Sequence, residues 1–189
     1  MAERRLIGPP DVRDASAAID DARAGRAFSR AVSTALSFAQ VESPAQVEVA
    51  RTLFREYEAW LKVDLCFQSF EAELSALPMP YVPPGGALLL AMEESEVAGC
   101  GAFRPLAEGA CELKRMFLRA AFRGKGSGRK LANSLIDLAR ASGHRSMRLD
   151  TFDFMREAVM LYQSLGFRRI ARYYDNPHPG ALFFELDLR

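Results

Sequence analysis

The sequence predicts a mixed α/β domain, one mostly antiparallel sheet with helices on both faces. Between Ala87 and Leu118, three strand-like runs, ALLLAM, VAGCGAFRPL and ACELKRMFL, are separated only by EESE and AEG, breaks short enough for hairpins. Beyond them the chain alternates helix-like and strand-like segments, an order that requires helices packed on the faces of a sheet. Between the two regions lies a glycine-rich basic stretch, RGKGSG, which joins the last run of the meander to the first of these helices.

Residues 1–35 are rich in Ala, Arg, Asp and Ser, and only DVRDASAAIDDARAG has a helical period. They read as an arm, mobile or a frayed helix, because Val12, Ala15, Ile19 and Ala22 make too narrow an apolar stripe for a docking helix. The domain proper spans 36–189. LSFAQV alternates as a strand does, and Ser43-Pro44 then starts a helix with proline at its first position, running to about Leu61. CFQSFEAELSAL is a second helix, stopped by Pro78 and Pro80. After the meander, GRKLANSLIDLARASG places Leu131, Leu135, Leu138 and Ala139 at helical spacing and closes at Gly143. The strand SMRLDT, the helix FMREAVMLYQSLG and the strands FRRIARYY and ALFFELDL complete the chain.

Composition narrows the function. The 189 residues, 49% hydrophobic and 26% charged, suit one core of about 100–200 residues plus an arm. A formal charge of +1 argues against avid electrostatic binding of nucleic acid or an anionic membrane, so any anion must be met by a local cluster. Cys66, Cys100 and Cys111 are odd in number and widely spaced, which indicates reduced, buried thiols and neither a disulfide framework nor a metal site. ALLLAM falls far short of the roughly 20 apolar residues of a membrane helix, and the N-terminus lacks a signal-peptide core. The expected location is cytoplasmic.

RGKGSG carries the chemistry. Gly124, Gly126 and Gly128 alternate with Arg123, Lys125, Ser127 and Arg129 between a strand and a helix. Glycines let backbone N–H groups approach a ligand closely, and a helix N-terminus and basic side chains add positive charge. The result is an anion cradle or, more plainly, a flexible basic loop. Neither the P-loop spacing nor G-x-G-x-x-G fits, and the preceding strand closes an antiparallel meander instead of lying in a parallel sheet.

Arg123-x-x-Gly126-x-Gly128 does resemble the Gln/Arg-x-x-Gly-x-Gly/Ala acyl-CoA pyrophosphate loop of the GNAT superfamily of N-acetyltransferases. CELKRMFL is similar to that family's central strand and AVMLYQSLGFRRI to its last helix and the strand after it, so the resemblance runs from about Leu36 to Arg189. It implies a GNAT-like sheet, acetyl-CoA as co-substrate, no metal, and transfer of an acetyl group to a primary amine by direct attack in a ternary complex. The implied coenzyme site comprises Met116, Phe117 and Leu118 for the pantetheine arm, with a backbone N–H of Phe117 or Leu118 on the thioester carbonyl. Arg123, Gly124, Lys125, Gly126, Ser127, Gly128 and Arg129 would take the pyrophosphate, and Arg129 or Lys130 the other phosphate.

By the same resemblance Tyr162 stands where the family often places the acid that protonates the thiolate; read without it, Tyr162 is core with Val159, Leu165 and Phe167. Glu112 stands where several members carry a catalytic glutamate, and alternation would put it on one face with Lys114 and Met116; otherwise it is an ion-pair partner of Lys114 or Arg115. The implied acceptor pocket draws on Tyr57, Trp60, Phe67, Tyr173, Tyr174, Asn176 and His178, with Asp175 for an ammonium and Arg104 for a carboxylate. Asp-Asn-Pro and Arg104-Pro105 also read as an ordinary turn and strand end. The ending YYDNPHPGALFFELDL resembles a branch of small bacterial members of undefined substrate. The expected partner is a small-molecule amine, with no nucleic acid and no membrane, and a homodimer is allowed. A non-catalytic acyl-CoA-binding regulatory module, or an acetyltransferase of protein N-termini or lysines, is the alternative reading.

Overall fold

In the computed structural model residues 36–65 and 69–189 are described. The arm predicted over 1–35, Cys66 and Phe67 lie outside them. Strand β1 (Leu36–Gln40) leads into helix α1 (Pro44–Leu61), then α2 (Phe70–Ala76) and the meander β2 (Ala87–Glu93), β3 (Glu96–Pro105) and β4 (Ala110–Leu118). Helix α3 (Ser127–Ala141), β5 (Ser146–Phe152), α4 (Arg156–Ser164), β6 (Arg168–Ile170) and β7 (Ala181–Asp187) follow. At the start of α1, Ser43 and Gln46 cap each other's backbone, with Pro44 at the first helical position.

The strands form one seven-stranded sheet in the order β1-β2-β3-β4-β5-β7-β6. Only β4 and β5 pair in parallel; the other neighbours are antiparallel. Leu131, Leu135 and Ile136 of α3, with Tyr162 of α4, cover the face that presents Leu89, Phe103, Leu113 and Leu149. Leu53 and Phe54 of α1, with Phe70 and Leu74 of α2, cover the face that presents Leu88, Leu90, Ala102, Phe117 and Phe152. The helices therefore flank both faces, as the hydrophobic pattern requires.

Two irregularities shape the middle of the sheet. Strands β4 and β5 pair only at Ala110↔Ser146, Cys111↔Met147 and Glu112↔Arg148, after which they part. Each keeps its other neighbour, β3 as far as Leu118 and β7 as far as Phe152↔Ala181, so a wedge opens between them. In β4, moreover, Cys100 faces Phe117 while Ala102 faces Lys114, so Gly101 stands opposite both Arg115 and Met116. That is a β-bulge, with Arg115 at φ +57°. It corrects the expected alternation. Lys114, opposite Ala102, and Arg115, bonded to Glu73, both face α1 and α2, whereas Met116 packs into the α3 layer. Gly99 permits the bulge, since a Cβ there would lie 2.1 Å from the Phe117 carbonyl oxygen.

The strand expected through FRRIARYY shortens to Arg168–Ile170. Beyond it Tyr173 and Tyr174 bond side chains of β4 and β5 instead of continuing the ladder, and Pro177 and Pro179 have no N–H to give one.

Candidate active site

The glycine-rich turn leaves β4 through Arg119, which clamps Glu56 of α1 (Nε to Oε2, 2.8 Å) and the carbonyl of Val97 (2.8 Å). Gly124 and Gly126 have φ of +79° and +77°, a left-handed conformation that only glycine adopts freely, and a Cβ on either would meet nothing within 4 Å. Open space thus lies over the backbone. Gly126 caps α3 without any side-chain hydrogen bond, so the amides of the first turn, Ser127, Gly128 and Arg129, have neither an intrahelical acceptor nor a capping side chain. Free amides aligned with the positive end of a 15-residue helix match a phosphate-bearing ligand.

The side chains around the turn are mostly committed. Arg123 donates from Nε to the Leu118 carbonyl (2.7 Å) and stacks over Trp60 at 4.5 Å, so it braces the turn's entry. Lys125 is exposed, 3.7 Å from Glu93, and Arg129 bonds Ser164 Oγ at 2.7 Å. A Cβ at Gly128 would lie 3.5 Å from Leu161 and 3.8 Å from Leu118, so the start of α3 rests against the residue preceding Tyr162 and against the end of β4.

The wedge between β4 and β5 is a narrow cleft, open to solvent. Leu113, Lys114, Arg115 and Met116 border it from β4, Asp150, Thr151 and Phe152 from β5, Tyr57 from α1 and Tyr162 from α4. Tyr162 is held edge-on to Phe167, and among the described residues its hydroxyl has no hydrogen-bond partner. Burial pushes this phenol well above its ordinary value. The Tyr57 hydroxyl is pushed up to about 12, again chiefly by burial.

Beneath the cleft lies a charge network on the side of α1 and α2. Arg115 pairs with Glu73 of α2 through both guanidinium edges, and Tyr81 donates to the same carboxylate. Arg104 reaches Glu112 Oε2 with Nε and Nη2, each at 2.7 Å; Lys114 Nζ stands 3.7 Å from that oxygen, and Tyr173 donates to Oε1 at 2.9 Å. Burial lowers the Lys114 ammonium below its ordinary value, only partly offset by Glu112. Asp150 Oδ2 accepts from the Tyr174 hydroxyl (2.7 Å) and from Asn176 Nδ2 (3.4 Å).

The fold thus brings Tyr57, Met116, Tyr162 and, through Asp150, Tyr174 to one cleft, with the 123–129 turn at the end of β4. Glu112 is 1% exposed and does not border the cleft; its two oxygens are bonded by Arg104 and Tyr173, so it anchors the cleft floor. Arg104 is its ion-pair partner. Asp175 is not brought to the site: its side chain is 93% exposed and pairs with Arg172 on the surface, because Asp150 takes the neighbouring Tyr174 and Asn176. His144 and His178 are half-buried, His144 bonded to the Gly85 carbonyl (2.9 Å) and His178 edge-on to Phe152, rather than solvated. The sequence names Lys114 and Arg115 as alternative ion-pair partners of Glu112, of which the structure has Lys114; it points neither to Asp150 nor to Glu73 as the partner of Arg115. The only signal was the uneven spacing of charges in CELKR and SMRLD. Among the described residues, no three His, Cys, Asp or Glu side chains could together hold a metal ion, and no helix is long and apolar enough to cross a membrane.

Comparison with known proteins agrees with this geometry. The acetyltransferase (GNAT) family model matches residues 48–167. An uncharacterised N-acetyltransferase of Schizosaccharomyces pombe is 36% identical over 155 residues, covering 81% of this chain and 95% of that protein. A GNAT-family acetyltransferase from Staphylococcus aureus Mu50 shares the fold with a TM-score of 0.69 at 20% identity, over 82% of this chain and all of that one. A Bacillus subtilis acetyltransferase in complex with CoA does so at 0.59 and 20% identity, over 81% of this chain and 99% of that one.

Proposed function

The chain belongs to the acetyltransferase (GNAT) family, and on that premise we propose that it transfers an acetyl group from acetyl-CoA to a small-molecule primary amine by direct attack, with both bound at once. The observation that carries this reading is the placement of an uncapped, glycine-lined helix start against the strand end and helix that wall the wedge. The residues fit the coenzyme: the cradle has open space over its backbone, and β4 past Glu112 has no partner on the wedge side. Bound acetyl-CoA would supply an acetyl group activated as a thioester.

The amides of Ser127, Gly128 and Arg129, with the backbone at Gly124–Gly126, would hold the pyrophosphate, and Lys125 and Arg129 would add charge. Met116, Phe117 and Leu118 would bind the pantetheine arm along the free edge of β4. A backbone N–H of Phe117 or Leu118 donates to the carbonyl oxygen as negative charge builds on it, an interaction typically worth about 3–4 kcal/mol. Tyr162 serves the sulfur. As the new C–N bond forms and the C–S bond breaks, its hydroxyl meets the departing thiolate; because burial keeps the phenol protonated, it remains a donor at any working pH. The proton that the nitrogen sheds on becoming an amide balances the one the sulfur gains. The attacking amine must first lose its ammonium proton, which leaves through water in the open cleft. Glu112, saturated by Arg104 and Tyr173, supports this step by fixing Lys114 and Tyr173 and does not touch the amine.

Thermal unfolding with acetyl-CoA, with ATP and NAD at equal concentration as controls, tests the donor. At 100 times Kd, selective stabilisation should reach about 2.7 kcal/mol, or roughly 5–10 °C. An equal shift with all three ligands, or none with acetyl-CoA, refutes the reading. Tyr162→Phe should keep that shift while kcat falls by about 10²-fold or more; unchanged turnover would remove Tyr162 from the chemistry.

A further inference from the structure

The acceptor's ammonium proton needs a recipient in the cleft, because a charged nitrogen has no lone pair with which to attack. Most of the described residues bordering the cleft cannot take it. Burial holds the Tyr57 and Tyr162 phenols protonated. Arg115 is a guanidinium paired with Glu73, Lys114 stands as a cation at Glu112, and the Thr151 hydroxyl is turned to Met155 Sδ at 3.5 Å. Among the described residues there, Asp150 alone carries a carboxylate. Its Oδ2 takes both of its donors, the Tyr174 hydroxyl and Asn176 Nδ2, whereas Oδ1 accepts from none of the described residues. Neutral groups thus fix the carboxylate and leave one oxygen for the cleft. Glu112 is the reverse case, with both oxygens bonded behind the cleft floor.

We infer that Asp150 is the general base of the reaction, taking on Oδ1 the ammonium proton that the cleft's water relays to it, with Tyr174 and Asn176 as its positioning residues. The inference rests on the acetyltransferase reading and names the group at the end of that water path. The N–H bond breaks, its electron pair stays on nitrogen and then forms the C–N bond as the C–S bond breaks. The carboxylic acid so formed returns its proton to solvent before the next turnover, and the nitrogen's second proton balances the one that Tyr162 delivers to sulfur. Placement agrees with this division. Asp150 shares its face of β5 with Phe152, which packs on the α1–α2 side, whereas Tyr162 reaches the wedge from the α3–α4 layer. Base and acid therefore serve nitrogen and sulfur from opposite faces of the sheet. Tyr57 of α1, Lys114 and Arg115 of β4, Tyr162 of α4 and the Tyr173–Tyr174 pair all face the Asp150 charge, while Arg148, two residues along β5, is held by Glu185 of β7 at 2.6 Å.

The test reads thiol release from acetyl-CoA against pH, with saturating primary amines from methylamine to benzylamine and with 2,2,2-trifluoroethylamine, a primary amine already neutral near pH 7. Wild-type kcat for the ordinary amines should be flat between roughly pH 7 and 9, since the base frees the nitrogen within the complex. In Asp150→Asn it should fall by about 10²-fold or more near pH 7 and then rise about 10-fold per pH unit, as only the neutral fraction of the amine reacts. With trifluoroethylamine the same variant should lose far less. Asp150→Glu should restore a flat profile, and Tyr174→Phe should lower kcat without adding a slope; Lys114→Met should add none either. A carboxylate that only docked the ammonium would raise KM on its removal and leave kcat and its pH profile alone. That result, or a slope in Lys114→Met in place of Asp150→Asn, overturns the assignment while the acetyltransferase reading stands. If acetyl-CoA stabilises the protein but no amine of this panel is turned over at any pH, the assignment and the catalytic reading fail together.

Discussion

Replacing Glu73 by glutamine keeps the shape of the side chain and removes its charge, leaving Arg115 buried without a counter-ion. In the structure the Arg115 side chain is 3% exposed and that of Glu73 10%, and both guanidinium edges, together with the Tyr81 hydroxyl, point at the one carboxylate. Breaking one partner of such a pair costs about 3–5 kcal/mol, so the melting temperature of a domain this size should fall by roughly 6–20 °C. Differential scanning fluorimetry and urea unfolding read the loss directly. Burial pushes the Glu73 carboxyl up, but the hydrogen bond and charge of Arg115, helped by Tyr81, outweigh it and hold the group below its ordinary 4.5. A depressed folded-state value means the stability it brings is complete above pH 4.5 and is lost as pH falls through that lower value. The gap between wild type and Glu73→Gln should therefore be constant near neutrality and close in acid. Glu73→Leu combined with Arg115→Met should recover much of the loss, since an apolar pair of similar volume replaces a buried ion pair at little cost. A loss below about 1 kcal/mol for Glu73→Gln at pH 7 would refute the claim that buried Arg115 depends on this carboxylate as its counter-ion.

Gly99→Ala should disturb the bulge from the other strand: its Cβ would lie 2.1 Å from the Phe117 carbonyl and 2.9 Å from Leu118 Cα, so backbone must move, whereas Gly101→Ala meets side chains alone, the tip of Leu135 at 2.7 Å and Leu131 and Met116 at 3.4 Å. Gly99→Ala should thus cost more turnover than Gly101→Ala under saturating acetyl-CoA, and the reverse order in a kcat comparison would dismiss the oxyanion role given to the Phe117–Leu118 backbone. Gly126→Ala places a Cβ in open space at φ +77°, so it should cost only about 1 kcal/mol of stability yet abolish most of the acetyl-CoA-induced thermal shift. Retention of the full shift would move the pyrophosphate away from this turn.

What could be read from the chain and what could not divide along the range of the interactions involved. The cradle was legible because its chemistry is local: three glycines at alternate positions before a helical period specify open backbone and an uncapped helix start wherever the rest of the chain goes. The same holds for the start of α1, where Ser43 and Gln46 cap each other's backbone around Pro44 at the first helical position, all within four residues. The face of each β4 side chain was not local. It depends on a bulge that exists because β3 offers Gly99 and Gly101 across the ladder, and a two-residue period cannot register an extra residue in a partner strand. Alternation therefore sent Met116 to the wrong face and gave no hint that Lys114 and Arg115 share one. Asp150 was hidden for a related reason. In SMRLDT it is one charge among two, and only the early parting of β4 from β5 turns its position on the strand into a place on the lip of a cleft. Asp175 shows the converse error, since a turn sequence rich in polar groups drew the ammonium site to itself, while its neighbours Tyr174 and Asn176 reach inward to the carboxylate on β5. The turn proposed to hold the donor is written in consecutive residues, whereas the walls of the cleft come from residues that meet only across strands, and this is why the first is legible in the chain and the second is not.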